Sequence, residues 1–403
     1  MDKKTQQCQR DHGEDMGASR LNINLNALKA NYQYLDSCSA PSCSTGAAVK
    51  ANAYGLGMVP VSHALYDSGC RHFFVAQADE AVTLRQSFAK KPCYIFVLEG
   101  PQADELKDYE AFKLTPIINT ADQLEHLVNF NKTNHTSLPS ALHVDTAMSR
   151  LGLAPYDVLR LKDQLLTNSY LPICLVMSHL ACGDEPLNCL NSEQLENFST
   201  IAALFVDTPR SLANSAGILL EEKYHFDLTR PGISLYGVMT NPALKNNLLA
   251  PVLNWQADIL QVRDIDKGQS VGYGAEFTAK TSMKLATIGA GYADGYARAL
   301  YQPERNKTAL VGIGGHAAPL VGRISMDLIV ADVSKIPDSV LQKSEHADLI
   351  WSGYPLEQMA LDRQTLAYEV ITGLGGRAKR YYDDRQTAAT AQELPDNTTK
   401  KVE

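Results

Sequence analysis

Long apolar runs are missing from this chain. No uninterrupted apolar stretch approaches the length of a membrane span, so we expect no membrane-embedded segment and no membrane partner. The first residues, MDKKTQQCQRDHGEDMGAS, carry basic side chains with no apolar core behind them, which is not the pattern of a signal peptide. The sequence therefore predicts a cytoplasmic protein.

An excess of positive charge is also missing. The 37 lysines and arginines are outnumbered by 45 aspartates and glutamates, which gives a net charge of −8. A nucleic-acid binder needs a basic face to displace counterions from phosphates, and no run of basic residues supplies one. We therefore expect no nucleic-acid partner.

The usual metal and redox motifs are absent. The eight cysteines all lie in the first half without a C-x-x-C pair, and no H-x-x-x-H cluster occurs, so we predict no metal site. Reduced thiols are expected, because a Cys70–Cys93 bridge would require export. The groups GIGG and GLGG lack the strand, helix and trailing acid of a dinucleotide fingerprint.

The 403 residues show a repeated order of short apolar runs and longer helical stretches, which indicates parallel βα units. Eight candidate strands (GAAVK, HFFVA, CYIFVL, LTPII, ALHVD, ICLVMSH, RSLAN, FDLTR) predict an α/β fold, an eight-stranded parallel TIM-type barrel, with a doubly wound open sheet as the alternative. The later sequence is rich in β patterns and glycine. We predict a loose tail over 1–18, a barrel domain over 19–248, a mostly β domain over 249–385 and a loose tail over 386–403.

Polar residues follow five of the predicted strands, where the loops of such a barrel form one open face. They are Lys50, Arg150, His179, Asn214 with Ser215, and Arg230. The loops after strands seven and eight usually hold phosphate, and Ser215 and the glycine of PGI suit that task. A lysine facing a phosphate pocket indicates an enzyme that binds pyridoxal 5'-phosphate covalently through the lysine amine.

The motifs AVKANAYGLG, HVDTAMSRLG, ANSAG, TRPGISLYG, VGYGAEF, GYADGY and GRISMD resemble those of alanine racemases in order and spacing, over about residues 20 to 382. The resemblance implies a barrel followed by a β domain, in a homodimer in which the β domain of one subunit completes the active site of the other. It implies interconversion of L-alanine and D-alanine, which supplies D-alanine for peptidoglycan.

The resemblance also implies roles for individual residues. The expected catalytic pair is Lys50 and Tyr273, the latter from the partner subunit. The expected cofactor site comprises Lys50, Tyr54, His179, Asn214, Ser215, Arg230, Gly232 and Ile233. Arg150 and Met326 match substrate-binding positions, and Asp184, Tyr292, Arg298 and Arg323 match positions that line an entry channel. Racemisation moves protons on both faces of the α-carbon, which is why two bases are needed, and each needs local help to act near neutral pH.

The chain departs from the family pattern at three places. His143 stands where many members have a lysine that is carbamylated to hold Arg150, and histidine cannot form that carbamate. Ser211 stands where many members have a histidine that supports the pyridine-facing arginine. Gly375 and Gly376 lie around a position that is often held by a phosphate-binding tyrosine. The alternatives are a racemase of broader substrate range, a decarboxylase on the same barrel, or a non-catalytic carrier of the cofactor.

Overall fold

A computed structural model of the protein describes residues 18–240, 248–305 and 307–384. The predicted tails, 1–18 and 386–403, lie outside these residues except for Ala18. No helix in the described ranges is long and apolar enough to cross a bilayer.

The N-terminal part alternates short strands with helices, as the sequence predicted. Its elements are β1 (Ser19–Asn24), α1 (Leu25–Cys38), β2 (Ser44–Thr45), β3 (Ala47–Ala48), α2 (Lys50–Tyr54), α3 (Met58–Asp67), β4 (His72–Val75), α4 (Ala78–Phe88), β5 (Tyr94–Val97), α5 (Leu106–Ala111), β6 (Thr115–Ile118), α6 (Ala121–Asn134), β7 (Ser140–His143), α7 (Pro155–Arg160), α8 (Lys162–Thr167), β8 (Ile173–Met177), α9 (Leu190–Ala202), β9 (Arg210–Ser211), α10 (Ser215–Ile218) and β10 (Leu228–Thr229).

Seven of these strands form one parallel sheet in chain order, β3-β4-β5-β6-β7-β8-β9. β10 pairs in parallel with β2, and the Gly46 N–H donates to the Thr229 carbonyl at 2.9 Å. On the other side, the Arg230 N–H donates to the Ala213 carbonyl at 2.9 Å, just beyond β9. The N-terminal part is therefore a curled parallel sheet of the TIM-barrel type.

Both faces of this sheet are buried, which explains the continuous apolar runs in the sequence. All four residues of β6 are buried. The inward-facing side chains form a separate apolar cluster of Phe74, Phe96, Ile117, Ala141, Leu175, Met177 and Leu228. The barrel interior is thus filled, and the loops at the strand ends are left to form the site.

The C-terminal part is mostly β structure with three short helices. Its elements are β11 (Leu253–Ile265), β12 (Ser270–Val271), β13 (Phe277–Thr278), β14 (Met283–Ile288), β15 (Tyr301–Gln302), β16 (Lys307–Thr308), β17 (Leu310–Ile313), β18 (His316–Pro319), β19 (Ile329–Asp332), α11 (Asp338–Leu341), β20 (His346–Ile350), α12 (Leu356–Asp362), α13 (Ala367–Thr372) and β21 (Lys379–Asp383).

β1 differs from the sequence-based expectation. We predicted that the barrel domain begins at residue 19, but β1 pairs antiparallel with β11 and parallel with β21. It therefore extends the sheet of the C-terminal part. The physical reason is its alternating pattern, because Leu21 and Ile23 pack into the core while Arg20 and Asn22 are half-buried, which fits a sheet covered on one face.

Candidate active site

Lys50 directly follows β3, and the chain then turns in an unusual way. Ala51, Asn52, Ala53 and Tyr54 all have φ between 52° and 55°, so α2 makes a left-handed turn. Such a conformation costs roughly 1 kcal/mol or more for each residue that carries a Cβ atom. Polar contacts hold the turn in place: the Asn52 N–H donates to Glu80 at 3.2 Å, and the Asn52 side chain accepts from the Met58 N–H at 2.8 Å.

Lys50 is half-buried at the carboxyl end of its strand. Burial lowers the pKa of its amine, and the positive charge of Arg150 lowers it further, whereas Glu80 and Glu99 act in the opposite direction. A lowered pKa raises the fraction of the neutral amine, which is the form that reacts with an aldehyde or accepts a proton.

Arg230 lies buried among the ends of β8, β9 and β10. Its guanidinium donates to the Ser211 hydroxyl, to the Ser178 carbonyl and, at 3.3 Å, to the Leu212 carbonyl. The ring of His179 lies 3.5 Å away. Burial lowers the pKa of Arg230 to about 9, so the group still carries its charge at neutral pH. Ser211 therefore supports the guanidinium by accepting from Arg230 and donating to the Leu228 carbonyl.

His179 belongs to the same network in a supporting position. Its Nε2 lies 3.4 Å from the amide nitrogen of Asn214, whose side-chain oxygen accepts from the Gly217 N–H at 3.0 Å. Burial lowers the pKa of His179 well below its ordinary value, and the charge of Arg230 acts in the same direction. The imidazole therefore stays neutral beside the guanidinium.

A cradle formed by Ser215, Gly232 and Tyr54 lies next to this network. The Ser215 hydroxyl oxygen accepts from the N–H groups of Gly232 at 2.8 Å and Ser234 at 3.3 Å, which leaves its own hydrogen free to donate. A Cβ atom on Gly232 would collide with the Tyr54 hydroxyl. A side chain at this position would force the Tyr54 ring to shift, so glycine allows the close packing.

Arg150 is carried by a loop that folds back beside β7. The Asp145 carboxylate accepts from the N–H groups of Ala147, Met148 and Ser149 at 3.1, 2.9 and 3.0 Å. The Leu153 N–H then donates to the His143 carbonyl at 2.9 Å, and this closes the loop. The guanidinium of Arg150 is exposed at the open face of the barrel.

His143 lies under this loop and has a definite partner. Both hydrogens of the Asn119 amide donate to backbone carbonyls, those of Leu98 and Ile117, so the Asn119 oxygen is an acceptor. The His143 Nδ1 lies 2.8 Å from that oxygen and must carry the hydrogen. Burial lowers the pKa of His143 to about 4, with Arg230 and Arg150 contributing in the same direction.

Five further predicted site residues lie on the C-terminal part: Tyr273, Tyr292, Arg298, Arg323 and Met326. The glycines on either side of Tyr273 lie against Arg323, whose guanidinium pairs with Glu276. The Tyr292 N–H donates to the carbonyl of Ser325, the neighbour of Met326. Tyr273 is 72% exposed and Met326 53% exposed, and Arg298 is also on the surface. Within the described ranges, Tyr273 makes no hydrogen bond with Lys50. Asp184 is exposed on the loop after β8. Burial raises the pKa of Tyr368 to about 12, and the negative charge of Asp184 acts in the same direction.

Two features of the site were missed by sequence reasoning. The Tyr54 ring packs between those of Tyr236, at 4.8 Å, and Tyr368, at 6.2 Å. Asp145, which holds the Arg150 loop, was also not singled out. An aspartate followed by small residues in HVDTAMSRLG is a turn signal that could have revealed it.

Family models and solved structures agree on the identity of this fold. The model of the alanine racemase N-terminal domain matches residues 23–240, and that of the alanine racemase C-terminal domain matches residues 252–382. The chain is 41% identical over 369 residues to the catabolic alanine racemase of Agrobacterium fabrum, covering 91% of this chain and 92% of that protein. It is 40% identical over 375 residues to the alanine racemase of Brucella abortus, covering 90% and 93%.

The solved alanine racemase of Bartonella henselae, which has covalently bound pyridoxal phosphate, superimposes with a TM-score of 0.84 at 36% identity. That match covers 91% of this chain and 99% of the solved chain. The solved biosynthetic alanine racemase of Pseudomonas aeruginosa superimposes with a TM-score of 0.81 at 33% identity, and that match covers 91% of this chain and 100% of the solved chain. A TIM-type barrel with a half-buried lysine beside a cradle of serine, glycine and tyrosine defines a barrel enzyme that uses vitamin B6. More narrowly, this chain belongs to the alanine racemase family, and it is therefore a racemase that depends on pyridoxal phosphate.

The residues of the site fit this cofactor. The Ser215 hydroxyl and the Cβ-free space at Gly232 suit a phosphate, Lys50 suits the aldehyde, and the buried Arg230 suits a heteroaromatic nitrogen. Arg230 has no ion pair with a carboxylate among the residues that the structure describes. Its charge is therefore balanced only by neutral acceptors of the chain.

Proposed function

We propose that the protein interconverts L-alanine and D-alanine with Lys50 and, from the other side of the substrate, Tyr273 of the partner subunit. The observation that carries this proposal is the position of Lys50. It has a lowered pKa and stands at the carboxyl end of a barrel strand. That strand lies beside the segment of Gly232, because the Ala48 N–H donates to the Pro231 carbonyl at 2.8 Å. The match to both domains of the alanine racemase family supports the substrate.

The side chains divide the work between them. The bound cofactor withdraws electrons from the α-carbon of the amino acid and so acidifies its hydrogen. On one face Lys50 takes the proton as a neutral amine and returns it as an ammonium. On the other face the partner's Tyr273 takes the proton as a phenolate and returns it as a phenol. Arg150 binds the substrate carboxylate through charge-assisted hydrogen bonds, and Met326 of the partner subunit borders the substrate.

Arg230 sets the electronic character of the site. An arginine essentially never releases its proton, so it can donate a hydrogen bond to the ring nitrogen without protonating it. This limits how strongly the ring withdraws electrons and favours return of the proton over side reactions. Tyr54, Ser215, Gly232 and Ile233 hold the phosphate, and His179 and Asn214 support the network from behind.

The proposed homodimer follows from the separation of the two groups of residues. Tyr273, Met326 and Tyr292 are exposed on the C-terminal part, and these are large side chains that a partner surface would cover. A two-fold dimer would bring them over the mouth of the other barrel together with Arg298 and Arg323, and Asp184 would border the same entry channel.

We also propose that the barrel closes with eight strands. β2 and β3 are separated only by Gly46, so together they act as one strand that pairs with β4 on one side and β10 on the other. The single-residue bridge between Asn214 and Arg230 supports closure of the ring between β9 and β10. We further propose that the boundary between the barrel domain and the mostly β domain lies near residue 249, with β1 belonging to the C-terminal sheet.

The biological role that we propose is supply of D-alanine for peptidoglycan in the cytoplasm. The relatives carry both catabolic and biosynthetic names, so the fold serves either direction. The test is growth of a D-alanine-requiring bacterial host that expresses the protein without added D-alanine. Failure of an active, expressed enzyme to support growth would contradict the biosynthetic role.

The decisive experiment on the site is complementation between two inactive chains. Lys50→Ala and Tyr273→Phe homodimers should each lose racemisation. When the two chains are co-expressed, half of the dimers are mixed, and each mixed dimer regains one intact site, so about a quarter of wild-type activity should return. No recovery in purified mixed dimers would contradict a shared site. A preference for lysine or arginine over alanine as substrate would contradict the proposed specificity.

A further inference from the structure

A groove opens at the amino ends of the barrel strands, away from Lys50. Its walls are the segments that lead into β5, β6 and β7, and its volume is about 1060 Å³. Lys50 follows the carboxyl end of β3, so the groove and the candidate active site lie at opposite ends of the barrel. A partner subunit that covers the mouth would leave this end open.

The groove concentrates positive charge in an acidic protein. The whole chain has a net charge of −8, but the side chains of this groove that are charged at neutral pH are five cations and one carboxylate: Arg71, Arg85, Lys90, Lys91, Lys113 and Glu110. A concave surface lined by one sign of charge focuses the electric field and raises the local concentration of oppositely charged solutes. The charge therefore indicates an anionic ligand.

The two arginines are fixed by neutral acceptors. Arg85 donates to the carbonyls of Phe112, Cys93 and Lys113 at 2.9–3.2 Å, and Arg71 donates to the carbonyls of Tyr66 and Cys70 at 2.8 Å. Neither has a carboxylate partner in the described part of the chain. The hydrogen bonds hold both guanidinium groups in place without neutralising them, which is the preorganisation that an anion site needs.

The lysines differ in how far they are engaged. Lys91 lies 3.7 Å from the carboxylate of Asp67. Lys90 and Lys113 are exposed and have no ion pair within the described ranges, so their ammonium groups are free to reach a ligand. Lys113 has φ of 50° at the turn before β6.

An aromatic ring lies beside these charges. Tyr94, the first residue of β5, is 54% exposed, and its ring stacks on that of His72 with centroids 5.2 Å apart and planes 7° apart. The stacked partner fixes the ring's orientation. The neighbouring wall is apolar, formed by Pro92, Leu138 and Pro139. A ligand with a flat ring can cover this surface while its anionic part meets the basic groups.

We propose that the groove binds a small molecule that carries phosphate on a planar ring system. Two sources share this chemistry, a nucleoside polyphosphate and a free B6 phosphate. The phosphates lie against Arg85, Lys90 and Lys113, and the ring covers Tyr94. This binding does not depend on racemisation, so the proposal is separable from the function of the other end of the barrel.

The test is calorimetric titration of the holoenzyme, whose active site is occupied by its own cofactor, with ATP, pyridoxamine 5'-phosphate, tripolyphosphate and adenosine in magnesium-free buffer of low salt. Saturable binding of ATP or pyridoxamine phosphate to one site per chain is expected, and the stronger of the two identifies the source. No saturable binding of either at millimolar concentration would overturn the proposal.

Two variants examine the parts of the site. Lys90→Glu with Lys113→Glu should weaken phosphate ligands about tenfold or more, whereas the matched control Lys162→Glu with Lys343→Glu, which changes exposed lysines elsewhere by the same charge, should stay within about twofold. Equal weakening by both pairs would mean that the net charge of the protein, not this groove, determines the affinity, and would refute the site.

Tyr94→Ala should weaken the ring-bearing ligands about tenfold more than tripolyphosphate. Equal weakening would refute the ring contact. Unchanged racemase activity and circular dichroism show that each variant is folded.

Discussion

The neutral state of His143 gives a stability prediction that can be worked out in numbers. The ring is buried at the end of β7, its Nδ1 is bonded to Asn119, and its pKa is lowered from 6.5 to about 4. Between about pH 4 and pH 6.5, this histidine is protonated in the unfolded chain but stays neutral in the folded chain. Protonation therefore favours unfolding, and stability is lost as the pH falls from about 6.5 to about 4. Above pH 6.5 the histidine is neutral in both states and this effect is absent.

The size of the effect follows from these two pKa values. Between pH 7.5 and pH 5, this single histidine should lower the free energy of unfolding by about 2 kcal/mol, because the proton affinities of the two states differ by roughly 2.5 pKa units. His179, whose pKa is also lowered by burial, contributes with the same sign. The wild-type curve alone therefore cannot isolate His143, and a substitution is needed.

The assay is urea unfolding of wild type and His143→Gln at pH 7.5 and pH 5, at one fixed protein concentration. Glutamine keeps an amide that can donate to Asn119 but cannot be protonated, so the loss on acidification should shrink by about 2 kcal/mol in the variant. His316→Gln, which removes an exposed histidine, is the control and should keep the wild-type difference. An equal loss in His143→Gln and wild type would refute the reasoning that His143 is neutral in the fold.

Two further predictions concern the cradle and the Arg150 loop. Gly232→Ala should weaken binding of pyridoxal phosphate by about tenfold or more, because the added Cβ must displace the Tyr54 hydroxyl; absorbance titration of the apoenzyme measures it, and wild-type affinity would contradict the tight packing. Asp145→Asn should raise the KM for alanine about tenfold with a smaller change in kcat, since a neutral amide holds the three N–H groups less strongly than a carboxylate does; an unchanged KM would show that the loop is held by other contacts.

Much of the barrel could be predicted from the sequence because its strands are buried on both faces. Each of the eight predicted apolar runs contains a strand of the structure, and the polar residues at their ends gather at one face as expected. This succeeds because parallel strands place their carboxyl ends together whatever the details of packing. The predicted barrel range of 19–248 includes β1, which pairs with strands of the C-terminal part, since its alternation of Leu21 and Ile23 with polar residues identifies a half-covered strand but not its partner.

The left-handed turn after Lys50 could not have been predicted from local preference. Three of its four residues, Ala51, Ala53 and Tyr54, have no side chain that favours positive φ. Tertiary contacts impose it: the Arg380 side chain donates to the Gly55 carbonyl at 2.7 Å, and the Tyr382 hydroxyl donates to the Leu56 carbonyl at 2.9 Å. Both partners are more than 300 positions away in the chain, on β21. The pairing of His143 with Asn119 was hidden for the same reason.

The charges of the mouth explain why these separate features belong together. Lys50, Arg150 and Arg230 meet at one end of the barrel, and none forms an ion pair with a carboxylate within the described residues. Instead, the two neighbouring histidines are kept neutral by burial and by these same cations. A site that retains uncompensated positive charge is costly for the protein alone and becomes favourable when anions enter. The phosphate of the cofactor and the carboxylate of alanine are such anions. The positive charge at this end of the barrel is therefore left without carboxylate partners in the protein and is balanced when these ligands bind.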